Sequence, residues 1–239
     1  MRVAAYQAPL LADGSTDALG LIREQVERCE TDGVEILCCP EAVLGGLADY
    51  SAHPSAFALH CGDLSDVLAP LTSDTVTTIL GFTETNRGCL FNSAAVFHRG
   101  SVAGVYRKLH PAINRSVYSA GDEMPVFTVG TLTFGVIICR DSTFSEPARV
   151  MASRGATALF VPTNNGLPFA KASPNIIADA RKSDVARATE NGMSVIRADV
   201  AGRTDVLLSY GSSAITAFDG TVLATARQSS ADLIVANIE

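Results

Sequence analysis

The chain has 239 residues, of which 47% are hydrophobic and 18% charged, and its formal net charge is −7. That length is enough for a large core, and one domain over residues 1–239 is the simplest count. The acidic balance and the lack of a Lys/Arg-rich run disfavour a nucleic-acid surface, and no uninterrupted apolar run reaches the ~20 residues of a membrane helix.

The chain begins Met1-Arg2-Val3-Ala4-Ala5-Tyr6-Gln7-Ala8-Pro9, where Gln7 and Pro9 interrupt the apolar run before a signal-peptide core forms, so a cytoplasmic location is expected. Residues 2–8 read as a first strand. Asp17 to Cys29 reads as a helix, with Leu19, Ile22, Val26 and Cys29 at helical spacing. Asp32-Gly33 ends it, and Val34 to Cys39 is a second strand, stopped by Pro40 and followed at once by Glu41. From Gly45-Gly46 to about His60 the chain reads as loop with short helical pieces, and Leu64 to Leu71 leads into another helix. Thr75 to Leu80 is predicted as helix running into a strand at Gly81 to Glu84.

Phe91 to Phe97 and Val102 to Lys108 form a predicted hairpin around Gly100, and residues 110–125 a loop. Val126 to Val129 and Leu132 to Cys139 pair around Gly130. Glu146 to Arg154 is helical, with Pro147 suited to a first turn and Gly155 to a C-terminal cap. Ala158 to Val161 is a buried strand closed by Pro162-Thr163-Asn164-Asn165-Gly166, and Ile176 to Thr189 is a helix ended by Asn191-Gly192. Strands at Ser194 to Asp199 and Ser213 to Phe218 follow, then a type I′ turn signal at Asp219-Gly220, Thr221 to Ala226, and Leu233 to Ala236.

Three of these strands deliver one reactive side chain at their ends: Glu41 after Cys38-Cys39-Pro40, Lys108 after Tyr106-Arg107, and Cys139 after Gly135-Val136-Ile137-Ile138. Taken alone, Cys139 reads as a core thiol, because free cysteine is among the most buried residue types. A carboxylate, an ammonium and a thiol together support acyl transfer. The thiolate attacks, the carboxylate takes the proton and returns it to the leaving amine, and the ammonium stabilises the oxyanion with the backbone N–H of Arg140. Cys29, Cys38, Cys39, Cys61, Cys89 and Cys139 lie at irregular spacings with no Cys-x-x-Cys pair. Reduced thiols are expected, with no metal and no cofactor.

The order Glu41, Lys108, Cys139 resembles the nitrilase, or carbon–nitrogen hydrolase, superfamily. So do the strings Tyr-Arg-Lys-Leu-His and Gly-Val-Ile-Ile-Cys-Arg-Asp, with Phe91-Asn92-Ser93-Ala94, Ala120-Gly121-Asp122, Phe144 to Arg149 and Ala188 to Gly192 in the same order along the chain. The resemblance implies an α/β fold, a four-layer α-β-β-α sandwich, dimerised through the helix after the cysteine. It carries over Glu41 as general base, Lys108 as oxyanion stabiliser and Cys139 as the nucleophile that forms a thioester. The function implied is hydrolysis of a small non-peptide amide by a homodimer, with no nucleic-acid or membrane partner.

Two departures stand out. Members commonly carry a second glutamate in the loop after the lysine, and this chain reads Ile113-Asn114-Arg115 there. Asn114 would hydrogen-bond Lys108 without offsetting its charge. Arg140 follows the cysteine, where it would favour a carboxylate-bearing substrate if it pointed inward, or form an ion pair with Asp141 or Glu146, which is the better reading. These departures motivate a second reading, a catalytically altered or silent relative acting as a binding or interaction module. A third is a redox-sensing thiol protein built on Cys139. Asn164 and Asn165 follow a strand ending at the edge expected to carry Cys139, so they are candidate substrate contacts. His110 offers a rival papain-like Cys–His couple, and His53, His60 and His98 read as surface residues. Cys38 and Cys39, pointing to opposite faces of one strand, read as packing.

Overall fold

The computed structural model describes residues 1–12, 14–111 and 115–239. Two β-sheets face one another, and helices cover both outer faces, as expected of an α-β-β-α sandwich. In the larger, eleven-stranded sheet the central order is Val200–Arg203, Arg2–Pro9, Ile36–Cys38, Thr77–Asn86, Cys89–His98, Ser101–Arg107. The smaller sheet runs Val222–Thr225, Ala214–Thr216, Ser194–Ala198, Ala158–Pro162, Leu132–Val136, Val126–Val129.

The strands that meet in the middle of each sheet are parallel. Ile36–Cys38 and Ala158–Pro162 among them are wholly apolar because both of their faces are covered. Alternation along Arg2–Pro9 sorts its side chains. Val3 and Ala5 point between the sheets, with Ile36, Cys38, Ile79, Val96, Val136 and Phe160. Ala4 and Tyr6 point outward, onto Ile22, Val26 and Cys29 of the helix Asp17–Thr31. Ala148 and Met151 of the helix Ser145–Ser153, and Ala188 of the helix Asn175–Asn191, close the far face. Each large aliphatic chain so buried contributes about 1.5–3 kcal/mol. Cys38 and Cys39 fall on opposite faces, as their adjacency requires.

The sequence reading needs correction at four places, the first being the strand expected over Leu132 to Cys139, which ends at Val136, with Cys139 in a 3-10 turn. Thr75 to Leu80 is not helical; the strand Thr77–Asn86 lies parallel to Ile36–Cys38 and antiparallel to Cys89–His98. Val76, Thr77, Thr78 and Ile79 are β-branched, and two flanking strands reward that branching more than a helix would. Around Asp219-Gly220 the pairing resumes only at Thr216 and Val222, with an irregularity at Thr216. Gly220 has φ +89° and Asp219 is not in the left-handed region, so the turn is not type I′. The predicted loop over residues 110–125 also contains a short strand, Tyr118–Ser119, paired with Leu90 and Phe91.

No helix is long and apolar enough to cross a membrane among the described residues.

Candidate active site

Glu41, Lys108 and Cys139 meet at one edge of the sandwich, where strands of both sheets end. Together with Asn92, Asn164, Asn165, Asp49, Tyr50, Tyr118 and the apolar Leu47, Pro111, Leu167 and Ile176, they line a cavity of about 180 Å³.

Glu41 is held from both sheets. Its backbone N–H donates to the Thr163 carbonyl of the smaller sheet at 3.3 Å. Its carboxylate, 1% exposed, accepts from Lys108 Nζ at 2.5 Å and Asn92 Nδ2 at 2.7 Å on Oε1, and from the Asn164 backbone N–H at 2.9 Å on Oε2. The turn that carries it is tight, with Ala42 in the left-handed region at φ +45°. It lies directly on Gly81, where a Cβ would stand 2.3 Å from the Ala42 nitrogen and 2.5 Å from the Glu41 Cα. Backbone cannot give way as a flexible side chain can. Gly81→Ala is therefore expected to displace Glu41 and lower kcat about 100-fold, in line with what small misplacements of catalytic groups cost. A variant that is folded by circular dichroism and has wild-type kcat would refute this.

Lys108 and Asn92 are neighbours across a ladder: Tyr106 lies opposite Ala94, and the Lys108 N–H donates to the Asn92 carbonyl at 2.8 Å. Period-2 alternation sends Tyr106 and Lys108 to one face and Arg107 to the other, where Arg107 pairs with the buried Glu84. Burial alone would pull the Lys108 ammonium down. The Glu41 carboxylate, in charge and in hydrogen bonding, outweighs it and holds the group above its ordinary value. Lys108 is thus a cation at neutral pH and cannot serve as the base.

The Cys139 strand ends at Val136, and Cys139 opens the short 3-10 helix Cys139–Thr143 with φ +45°. A non-glycine residue there costs on the order of 1–3 kcal/mol, so the surroundings must impose it. Asp141 supplies much of that constraint. Its carboxylate accepts from the Ile138 N–H at 3.2 Å, the Tyr106 hydroxyl at 2.7 Å and the His110 N–H at 2.8 Å, tying the cysteine turn to the segment that bears Lys108. Burial pushes its carboxyl up even so, against the Lys108 charge and these donors. The His110 ring stacks on Phe144 at 3.8 Å between centroids, and His110 is not among the described residues lining the cavity.

The thiol itself is half-buried and directed at Asn165 Oδ1, 4.0 Å away. Asn165 is fixed by Asp199, which accepts from its N–H and its Nδ2, both at 2.9 Å. Burial pushes the Cys139 thiol up to about 12; Glu41 adds to that, while Lys108 and Arg197 oppose it. At neutral pH the group is therefore a thiol, and attack by its sulfur would require a base to take the proton.

Arg140 is an exposed residue of the 3-10 helix. Asn164 lines the cavity and holds Glu41, whereas Asn114 lies outside the described residues. Asn92, Asp199, Tyr50 and Tyr118 were not among the site residues that the sequence reading named. The signal for the first two was a polar side chain in or just after an otherwise apolar strand. Among the described residues no group of three or more His, Cys, Asp or Glu is placed to hold a metal ion.

The carbon-nitrogen hydrolase family model matches residues 2–239. A Pseudomonas protegens protein named as the hydrolase in the pqqF 5′ region is 32% identical over 235 residues, covering 95% of this chain and 79% of its own. An (R)-stereoselective amidase from Pseudomonas sp. is 29% identical over 218 residues, covering 88% of this chain and 76% of its own. The solved structure of a Nesterenkonia AN1 amidase from the nitrilase superfamily superposes with a TM-score of 0.82 at 20% identity, covering 98% of this chain and 89% of that one.

Proposed function

The chain belongs to the carbon–nitrogen hydrolase family, a hydrolase acting on C–N bonds, and from that premise we propose that it is an amidase using Glu41, Lys108 and Cys139 on a small non-peptide amide whose acyl group carries no carboxylate. The observation that carries this reading is the buried Lys108–Glu41 pair in one cavity with the Cys139 thiol.

Glu41 accepts the Sγ proton as sulfur attacks the amide carbon, and the C=O electrons move onto oxygen. Lys108 Nζ and the Arg140 backbone N–H stabilise that oxyanion. Collapse breaks the C–N bond, Glu41 returns the proton to nitrogen, and ammonia or an amine leaves a Cys139 thioester. Water then attacks the thioester, giving its proton to Glu41. The acid departs, and the sulfur recovers the proton.

Size and polarity support the substrate class. A cavity of about 180 Å³ suits an acyl group of a few carbons against Leu47, Leu167 and Ile176. Among the described lining residues the charged side chains are Glu41, Asp49 and Lys108. Lys108 is already committed to Glu41, so a carboxylate-bearing acyl group would find no spare cation among them. A silent, ligand-binding role is the weaker reading, because Cys139 sits under imposed φ strain beside a complete carboxylate–ammonium pair. The proposal extends to a cytoplasmic location and to a homodimer formed through the helix after Cys139, the assembly that the family resemblance implies.

The test is intact-mass analysis during incubation with short aliphatic amides. A transient adduct of the acyl mass, absent in Cys139→Ala, should accompany ammonia release. Absence of both adduct and ammonia across neutral, cationic and anionic amides would overturn the reading.

A further inference from the structure

A buried guanidinium lies behind the nucleophile. Arg197, 2% exposed, occupies the middle of the smaller sheet, opposite Val161 on one neighbour and Ala214 on the other. An arginine among Val195, Ile196 and Ala198 needs partners for its donors. Asp184, from the helix Asn175–Asn191, accepts from Nε at 3.0 and 2.9 Å and from Nη2 at 2.6 Å. The remaining bonds lead to the active site. Nη2 donates to Ser142 Oγ at 2.8 Å, and that hydroxyl donates to the Cys139 carbonyl at 2.8 Å. Nη1 donates to Thr163 Oγ1 at 2.7 Å, and the Thr163 carbonyl accepts the Glu41 N–H.

One side chain therefore touches both the residue that holds the nucleophile's turn and the residue that holds the base's turn. We propose that Arg197, anchored by Asp184, is a positioning residue that fixes Cys139 against Glu41 and keeps a cation behind the sulfur as negative charge passes through it. This rests on the amidase reading above.

The helix supports the same turn a second time. Arg187, three residues after Asp184, donates to the Ser142 carbonyl at 3.2 Å and pairs with Glu190. The charged groups around the thiol are Glu41 and Lys108 from the larger sheet, Arg197 and Asp199 from the smaller one, and Asp141 on its own turn, with Asp184 behind Arg197 and Tyr50 across the cavity. Arg197 thus acts on the thiol from the sheet opposite Lys108. A bare structural ion pair would not need this placement, since a buried pair is commonly replaceable by well-packed apolar residues without loss of stability.

That replaceability supplies the experiment. The double variant Asp184→Leu/Arg197→Met removes the pair as a unit, so that neither of its two charges is left buried without the other. The substrate-free readout is the rate of Cys139 alkylation by iodoacetamide from pH 7 to 9, followed by mass mapping of the peptide that carries Cys139, since Cys89 is an exposed thiol too. We expect about a tenfold fall at each pH, the equivalent of one unit in thiol ionisation. With an accepted amide, kcat should drop about 30-fold or more while KM moves less than about threefold, since a misplaced nucleophile penalises the transition state rather than binding. Ser142→Ala, which cuts the link and spares the ion pair, should lower kcat about tenfold. The proposal is overturned if the folded double variant keeps alkylation and kcat within twofold of wild type. Should that variant not fold, a Ser142→Ala enzyme with wild-type kcat overturns it instead. Alkylation needs no substrate, so failure of the amidase reading would show separately, as a wild-type protein whose cysteine alkylates but never acylates.

Discussion

Glu41→Gln is expected to lower kcat by roughly 10³–10⁴-fold with the fold intact, at the upper end of what a positioned acid–base group contributes. The reason lies in the charge states of its neighbours. Burial pushes the Cys139 thiol up to about 12, and the Lys108 ammonium is held above its ordinary value by the Glu41 carboxylate beside it. A thiol that keeps its proton and an ammonium that keeps its own leave the carboxylate as the acceptor. Glutamine fills the same volume but cannot accept that proton. It also turns one accepted bond into a confrontation of donors, since Lys108 and Asn92 converge on one oxygen and the Asn164 N–H on the other. Acyl-enzyme formation should vanish in single-turnover mass analysis while circular dichroism stays that of wild type. A Gln variant within tenfold of wild-type kcat would show that the proton goes elsewhere.

The elements that present these groups were legible because their signals are local. An apolar run that breaks at Pro40-Glu41 or at Cys139-Arg140 marks a strand end in either sheet, and the order of the three reactive residues did the rest. Thr75 to Leu80 was misread because its β-branched residues gain from strand neighbours forty and twenty residues away, which periodicity in a short window does not register. The same holds for the supporting polar residues. Asn92 faces Glu41 because the register places it beside Lys108, and Arg197 reaches Ser142 across 55 positions of chain. Composition marks such residues as odd within their strands. Only the pairing says what they serve.

Lys108→Met carries the second large effect, and it separates stability from catalysis. Alone, the substitution leaves the Glu41 carboxylate, 1% exposed, with Asn92 Nδ2 and the Asn164 N–H but no counter-charge. Removing one partner of a buried pair typically costs about 3–5 kcal/mol, so the urea midpoint should fall sharply. Glu41→Gln/Lys108→Met removes both charges, and with them the uncompensated one, so most of the lost stability should return. Activity should not return, because base and oxyanion cation are both gone. The non-additivity of the cycle then measures the pair itself. Recovery of stability without turnover is the expected pattern. If instead Lys108→Met were as stable as wild type, the pair would not hold the site together, and if the double variant turned over amides at a substantial rate, the pair would not be the machinery of the reaction.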